Sequence, residues 1–217
     1  MWITPGTPDR IGKDAGVTGK ESGTMVPMAA EVQVSGRWHP DLVDGEWTVE
    51  LLETLPDDGL RYEVIDGTLL VSPAPSALHQ IVAANVFRLL DGSAPADRAV
   101  LFAPVAWRPD GRTSVEPDLL VIAKDRITAH SITGPPDIVV EILSPSSARF
   151  DRTVKFSRYA EGGAAHYWLV DPTVPSVEIY DLSDGGYVLV AGGSMDDTVS
   201  VTAPFAVALM PSNLLRL

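Results

Sequence analysis

Pro136-Asp137-Ile138-Val139-Val140-Glu141-Ile142-Leu143 sets five aliphatic residues around a single glutamate. A short, unbroken apolar run of this kind reads as a central strand covered on both faces. An ionised carboxylate there is costly unless it is paired, hydrogen-bonded or bound to a metal. A second acid, Asp118, opens another apolar strand in Glu116-Pro117-Asp118-Leu119-Leu120-Val121-Ile122. Two consecutive strands, each contributing an acid near one end, can bring both carboxylates to one point. Oxygen donors at such a point suit Mg²⁺ or Mn²⁺ rather than zinc. The competing reading pairs Glu141 with an arginine, or has the strand end surface early.

The neighbouring segments predict a mixed α/β sandwich. Thr48 to Pro56 reads as a short helix with a threonine cap and a proline stop. Leu60–Ser72 predicts a hairpin around Asp66-Gly67, and Ser76 to Leu90 a helix capped by Ser76. In that helix Leu78, Ile81, Val82, Asn85, Val86, Leu89 and Leu90 fall on one side. Strands are expected at Ala99–Arg108, Val115–Ala123 and Asp137–Leu143. A helix follows over Asp151–Glu161, then a strand over Ala165–Val170, and a hairpin joins Val177–Leu182 to Tyr187–Val190. Residues 1–40 lack apolar periodicity and read as a weakly ordered leader, with Met25 and Met28 as alternative starts. Residues 41–217 then form one domain.

The chain has 217 residues, with 29 Asp and Glu against 16 Lys and Arg, a formal charge of −13 and no cysteine. Without thiolates, disulfides, iron–sulfur clusters and a cysteine nucleophile are excluded, which fits a cytoplasmic setting. His39, His130 and His166 share no ligand spacing. Any metal is therefore held by oxygen. No stretch approaches the roughly 20 apolar residues of a membrane span. The negative balance argues against a general coat for nucleic acid. Its distribution weakens that objection, because the acid excess lies in residues 41–68 and 171–217, while 69–170 are neutral. Weak, salt-sensitive DNA binding is the expectation.

Pro117-Asp118 followed after some twenty residues by Glu141 resembles the skeleton of the PD-(D/E)XK nucleases. Arg61-Tyr62-Glu63-Val64-Ile65-Asp66-Gly67, Ser72-Pro73-Ala74-Pro75 with His79, and Pro136 to Ser147 widen the likeness. Asp151, Lys155, Tyr159 and Tyr167-Trp168-Leu169-Val170-Asp171-Pro172 close the series. In this order the motifs resemble the Uma family of restriction-endonuclease-like proteins, over roughly residues 47–190. The resemblance implies a restriction-endonuclease-like core with flanking helices and added β-hairpins. It further implies Mg²⁺ or Mn²⁺, phosphodiester hydrolysis in DNA, and a homodimer whose two sites cut both strands.

Carried over residue by residue, the resemblance makes Asp118 and Glu141 metal ligands. The motif lysine is expected two residues after Glu141, where this chain has Leu143. Lys155 on the following helix is the replacement, since the family carries a lysine at the matching position; an ordinary surface pair with Asp151 is the alternative. Glu63 is an outer carboxylate or a solvent-facing acid. His79 is a proton carrier or phosphate contact, or else a partly buried structural histidine. Arg149, Arg152, Lys155 and Arg158 recur every three residues as a phosphate-facing stripe or a solvated helix face. Tyr159, Tyr167 and Trp168 read as core aromatics.

Three functions follow: a metal-dependent DNA endonuclease, a nuclease-fold binding or regulatory module without catalysis, and a phosphoesterase acting on RNA or small substrates.

Overall fold

Buried alternation builds the central layer. In the computed structural model, which describes residues 41–43, 46–56, 58–129 and 131–217, six strands form one mixed sheet. The expected leader lies outside the described residues. In chain order the strands are β1 (Asp41–Val43), β2 (Arg61–Ile65), β3 (Thr68–Ser72), β4 (Arg98–Phe102), β5 (Trp107–Asp110), β6 (Thr113–Val115) and β7 (Leu119–Ala123). They continue as β8 (Ile138–Ile142), β9 (His166–Asp171), β10 (Ser176–Ser183), β11 (Gly186–Ser194), β12 (Val199–Val201) and β13 (Val207–Leu209). The six-stranded sheet runs β11-β10-β9-β8-β7-β4. Only β8 and β9 are parallel, and the chain between them crosses over as a helix, as a parallel pair requires.

Every residue of β8 is buried, as its apolar run predicts. Ile138, Val140 and Ile142 join Leu119 and Val121 in one core layer with Val82, Val86 and Leu90 of helix α2 (Ala77–Ser93). Val139 and Leu143 join Leu120, Ile122, Tyr159, Tyr167 and Trp107 in a second layer on the opposite face. Glu141 alternates with the second set, so its carboxylate points into that layer. Strand β8 is thus buried on both sides, and its one glutamate sits inside.

A five-stranded sheet, β1-β3-β2-β6-β5, brings the N-terminal hairpin beside this layer. Asp66 and Gly67 both have positive φ (52° and 82°), the pairing a two-residue hairpin turn needs. Helix α1 (Val49–Leu52) and α2 start as expected, with Thr48 Oγ1 accepting from Leu51 N (3.3 Å) and Ser76 Oγ from His79 N (3.2 Å).

Two expected strands are corrected by prolines. Ala99–Arg108 is β4 and β5, in different sheets, and Val115–Ala123 is β6 and β7, also in different sheets. Pro104 and Pro117 lack the amide that a ladder needs, so pairing changes partner there. Leu78 is exposed rather than on the core side of α2. The C-terminal hairpin β12–β13 is not among the expected elements; β13 packs on α2, and in the turn after it Leu214 O (2.9 Å) and Arg216 O (2.7 Å) accept from Asn85 Nδ2.

The helix expected over Asp151–Glu161 begins earlier. It runs as α3 (Ala148–Phe150), a π-helical turn (Asp151–Lys155) and α4 (Phe156–Glu161). In a pure α-helix each i+4 step rotates by about 40°. The wider π turn offsets that drift, and Asp151, Lys155 and Tyr159 all point inward.

Candidate active site

The antiparallel register pairs Leu119 with Val140, Leu120 with Val139 and Val121 with Ile138. One further step sets Asp118 opposite Glu141, which places both carboxylates on the same face. Hydrogen bonds then tie each to a different set of partners. Asp118 Oδ2 accepts from Ile142 N (2.8 Å) and lies 3.0 Å from His79 Nε2, and Asp118 Oδ1 accepts from Arg61 Nη1 (3.1 Å). Glu141 Oε1 accepts from Lys155 Nζ (3.0 Å) and Tyr159 Oη (2.5 Å).

Glu63, on β2 of the other sheet, completes the cluster. Its Oε1 accepts from Glu116 N (2.7 Å) and lies 3.2 Å from Lys155 Nζ. Lys155 Nζ is also 3.9 Å from Asp151 Oδ1, and Arg61 Nε is 3.5 Å from Glu116 Oε2. The structure therefore brings together four of the expected residues, Asp118, Glu141, Lys155 and Glu63, with His79 at the edge. Solvent exposure is 6 % for Asp118, 2 % for Glu141, 4 % for Lys155 and 1 % for Glu63. The solvent-facing alternative for Glu63 and the surface-pair alternative for Lys155 are both overturned by that burial.

Arg61, Glu116, Asp151 and the Tyr159 hydroxyl belong to the same network and were not singled out from the sequence as part of a site. One signal was present: Arg61 and Glu63 are two apart on a strand, so they share a face. Asp151, Lys155 and Tyr159 at four-residue spacing were another.

The arginines of the following helix do not form one stripe with Lys155. Arg149 is exposed. Arg152 makes a two-nitrogen pair with Glu178 (2.7 Å each). Arg158 reaches Thr113 Oγ1, Asp110, Asp66 and Glu161. The π turn and burial of Lys155 separate them.

Charge in the cluster is unbalanced. Five carboxylates (Glu63, Glu116, Asp118, Glu141, Asp151) face two fixed cations (Arg61, Lys155). Burial disfavours ionisation throughout, and the partners decide each outcome. For Asp118, burial is outweighed by the His79 hydrogen bond, the Arg61 charge and the Ile142 amide, which hold its carboxyl below the usual range. Glu63 is likewise lowered, as Lys155, Arg61 and the Glu116 amide overcome its burial. For Glu141, burial prevails over Lys155, with the Asp118 and Asp151 charges adding to it, and its carboxyl is pushed up to about 8. Burial also raises Asp151 to about 6. Lys155 is raised despite its burial, by Glu141, Glu63 and Asp151, so it remains a cation and does not serve as a base near neutrality.

A pH dependence follows. Folded Glu141 holds a proton that the unfolded chain releases above 4.5, so its contribution is full below 4.5 and lost as pH rises through about 8. Asp118 and Glu63 act oppositely, contributing above their ordinary values and losing that contribution in acid. Thermal denaturation of the metal-free protein should show a melting temperature falling from about pH 5 to about pH 8 and levelling above it. A flat profile across that interval would contradict the assignment of the retained proton to Glu141.

The site opens into a cleft of about 910 Å³ whose lining includes Arg61, His79, Glu116 and Asp118 with Phe87 and Phe102. Arg61 Nε and Nη2 and His79 Nδ1 are buried without a hydrogen-bond partner in the protein. Among the described residues, no three His, Asp or Glu side chains stand ready around a common metal position. The donor set nevertheless fits a hard divalent cation. It is all oxygen, it carries surplus negative charge, and Glu141 holds a proton that a cation displaces.

The mixed sheet, its crossover helix and the buried carboxylates just before β7 and on β8 define a mixed α/β fold. A structure from Anabaena variabilis, described as "a putative nuclease belonging to DUF820", shares that fold. It is 21% identical with a TM-score of 0.64, covering 78% of this chain and 97% of that one. The model of the Uma2 family, described as "Putative restriction endonuclease", matches residues 49–211, and the chain belongs to that family. An uncharacterized protein of Synechocystis, slr1290, is 35% identical over 97 residues, which are 42% of this chain and 50% of that protein. The match thus spans about half the length of that relative.

Proposed function

We propose that the chain is a Mg²⁺- or Mn²⁺-dependent endonuclease that hydrolyses phosphodiester bonds in DNA. One observation carries the reading: five carboxylates meet two fixed cations in a buried cluster, and one of them, Asp118, lines an open cleft with Glu141 opposite it. Asp118 and Glu141 are the residues that would hold the cation, with Glu63 beside them. When bound, the cation supplies Lewis acidity and electrostatic stabilisation of phosphoryl charge.

The chain's own groups do the rest. Lys155 stays protonated and fixes Glu141 and Glu63 in place. Tyr159 donates to Glu141 and holds its rotamer. His79 and the Ile142 amide orient Asp118. Arg61 offers Nη2, which lacks a partner, to a phosphate. Arg149 is exposed and can add a phosphate contact outside the cleft, whereas Arg152 and Arg158 are held by carboxylates and add none.

Incubation with supercoiled plasmid and Mg²⁺ or Mn²⁺ tests this. Relaxed circles should form with the wild type and not with Glu141→Ala prepared in parallel; equal nicking by both would sink the claim. The second reading, an inactive binding module, draws on Leu143, which is buried in the core where the motif lysine is expected. It predicts no cleavage by either protein.

A homodimer in the cytoplasm completes the proposal. Among the described residues, β11 pairs only with β10, and its outer edge is free of charge and proline. Val188, Leu189 and Val190 are 55 %, 55 % and 49 % exposed. An uncharged nine-residue edge favours pairing with its own copy about a two-fold axis. Light scattering after gel filtration should give twice the chain mass, and Leu189→Lys should give the monomer. A wild type that is monomeric at micromolar concentration would remove this element. No helix among the described residues is long and apolar enough to cross a membrane.

A further inference from the structure

Resting on the nuclease reading, we propose that the cleft receives an unpaired nucleic-acid strand, with a base stacked on Phe102, rather than an intact duplex. Phe102 closes β4 and is 61 % exposed, an unusual position for a phenylalanine. It is not loose. Its ring meets Phe87 of α2 edge-on, with centroids 5.4 Å apart at 86°, which holds the ring in place. Both rings line the cleft, together with apolar Leu52, Leu55 and Pro73.

Charge argues the same way. Three arginines, Arg61, Arg88 and Arg108, line the cleft of a chain with net charge −13. Arg108 is already paired with Glu53 (2.8 Å). Phosphate contacts alone therefore give little affinity, and stacking on an aromatic platform has to supply the difference. Depth argues it again. Asp118 forms the floor, and Glu141, Glu63 and Lys155 lie behind it, nearly excluded from solvent. A duplex carries its phosphates on a broad cylinder that cannot descend to groups this recessed, whereas a single strand can thread the cleft and present one phosphate. Arg61 Nη2, buried without a partner in the protein, awaits an acceptor at that depth.

Fluorescence anisotropy in EDTA, so that nothing is cut, separates the possibilities. The probes are a labelled oligothymidylate, a duplex of equal length and an abasic strand of equal length. The oligothymidylate should bind at least about tenfold tighter than either other probe, Phe102→Ala should remove about tenfold of that, and Phe102→Trp should keep it. Equal affinity for duplex, equal affinity for the abasic strand, or no effect of Phe102→Ala would each overturn the assignment. The nuclease reading is tested separately, by the plasmid assay and by cleavage of the same oligothymidylate in Mg²⁺ or Mn²⁺ beside Glu141→Ala. A protein that shows this binding pattern and cuts nothing keeps the strand site and loses the nuclease. A protein that cuts plasmid and binds duplex as tightly keeps the nuclease and loses the strand site.

Discussion

Replacing Lys155 by alanine is expected to destabilise the metal-free protein by about 3–5 kcal/mol near neutral pH. The side chain is buried and its ammonium lies 3.0 Å from Glu141, 3.2 Å from Glu63 and 3.9 Å from Asp151. Removing it takes a donor from the Glu141 carboxyl and strands the Glu63 and Asp151 carboxylates where water cannot solvate them. They escape only by taking up protons, so the penalty should shrink on acidification. For a chain of this size the melting temperature should fall by roughly 10 °C. Added Mn²⁺ should recover part of the loss, because a divalent cation binding only the folded state stabilises it by mass action. A melting temperature unchanged by the substitution would mean that Lys155 is an ordinary helix-surface cation, contrary to its position.

Glu141→Gln should behave in the opposite way. Glutamine keeps the shape and still accepts from Lys155 and Tyr159, while the ionisation that burial pushes up to about 8 is removed. Stability of the metal-free protein should be kept, and its decline toward alkaline pH should vanish. Cleavage should drop by roughly a hundredfold to a thousandfold, the scale of removing one electrostatic group from a reacting centre. Gel quantification of nicked plasmid beside thermal denaturation reads both quantities. Retained cleavage with a retained fold would relieve Glu141 of its role. Together the two substitutions separate a residue that holds the site together from one that acts in it.

The elements that carry the carboxylates were legible in the sequence because their signal is local. One acid among five aliphatic residues announced a buried strand, and Asp118 at the head of the next apolar run announced its neighbour. Burial on both faces and the cross-strand register then place Asp118 opposite Glu141 without further information. Serine and threonine caps and the Asp66-Gly67 turn were legible for the same reason, since each is decided within four residues.

Features settled by distant partners were not legible. Arg61 reaches Asp118 across 57 residues and Tyr159 reaches Glu141 across 18, so no spacing rule connects them. The split of two strands between sheets depends on Pro104 and Pro117 removing amides at points where either sheet could continue. The π turn hides in a sequence that reads as a plain helix, and with it the burial of Lys155. Four cations at three-residue spacing suggested a common face that the π turn and the pull of Glu63 and Glu141 divide. The C-terminal hairpin is short, and its apolar residues matter only because α2 is there to receive them.

The central claim is that the surplus carboxylates hold a divalent cation. Calorimetric titration of the metal-free protein with Mn²⁺, repeated in buffers of different ionisation enthalpy, tests it most directly. Binding should be accompanied by proton release, seen as a buffer-dependent heat, because the cation displaces the proton that Glu141 retains. Both the binding and the proton release should be lost in Asp118→Asn and Glu141→Gln. The absence of Mn²⁺ binding to the wild type, or binding that survives both substitutions, would contradict the account.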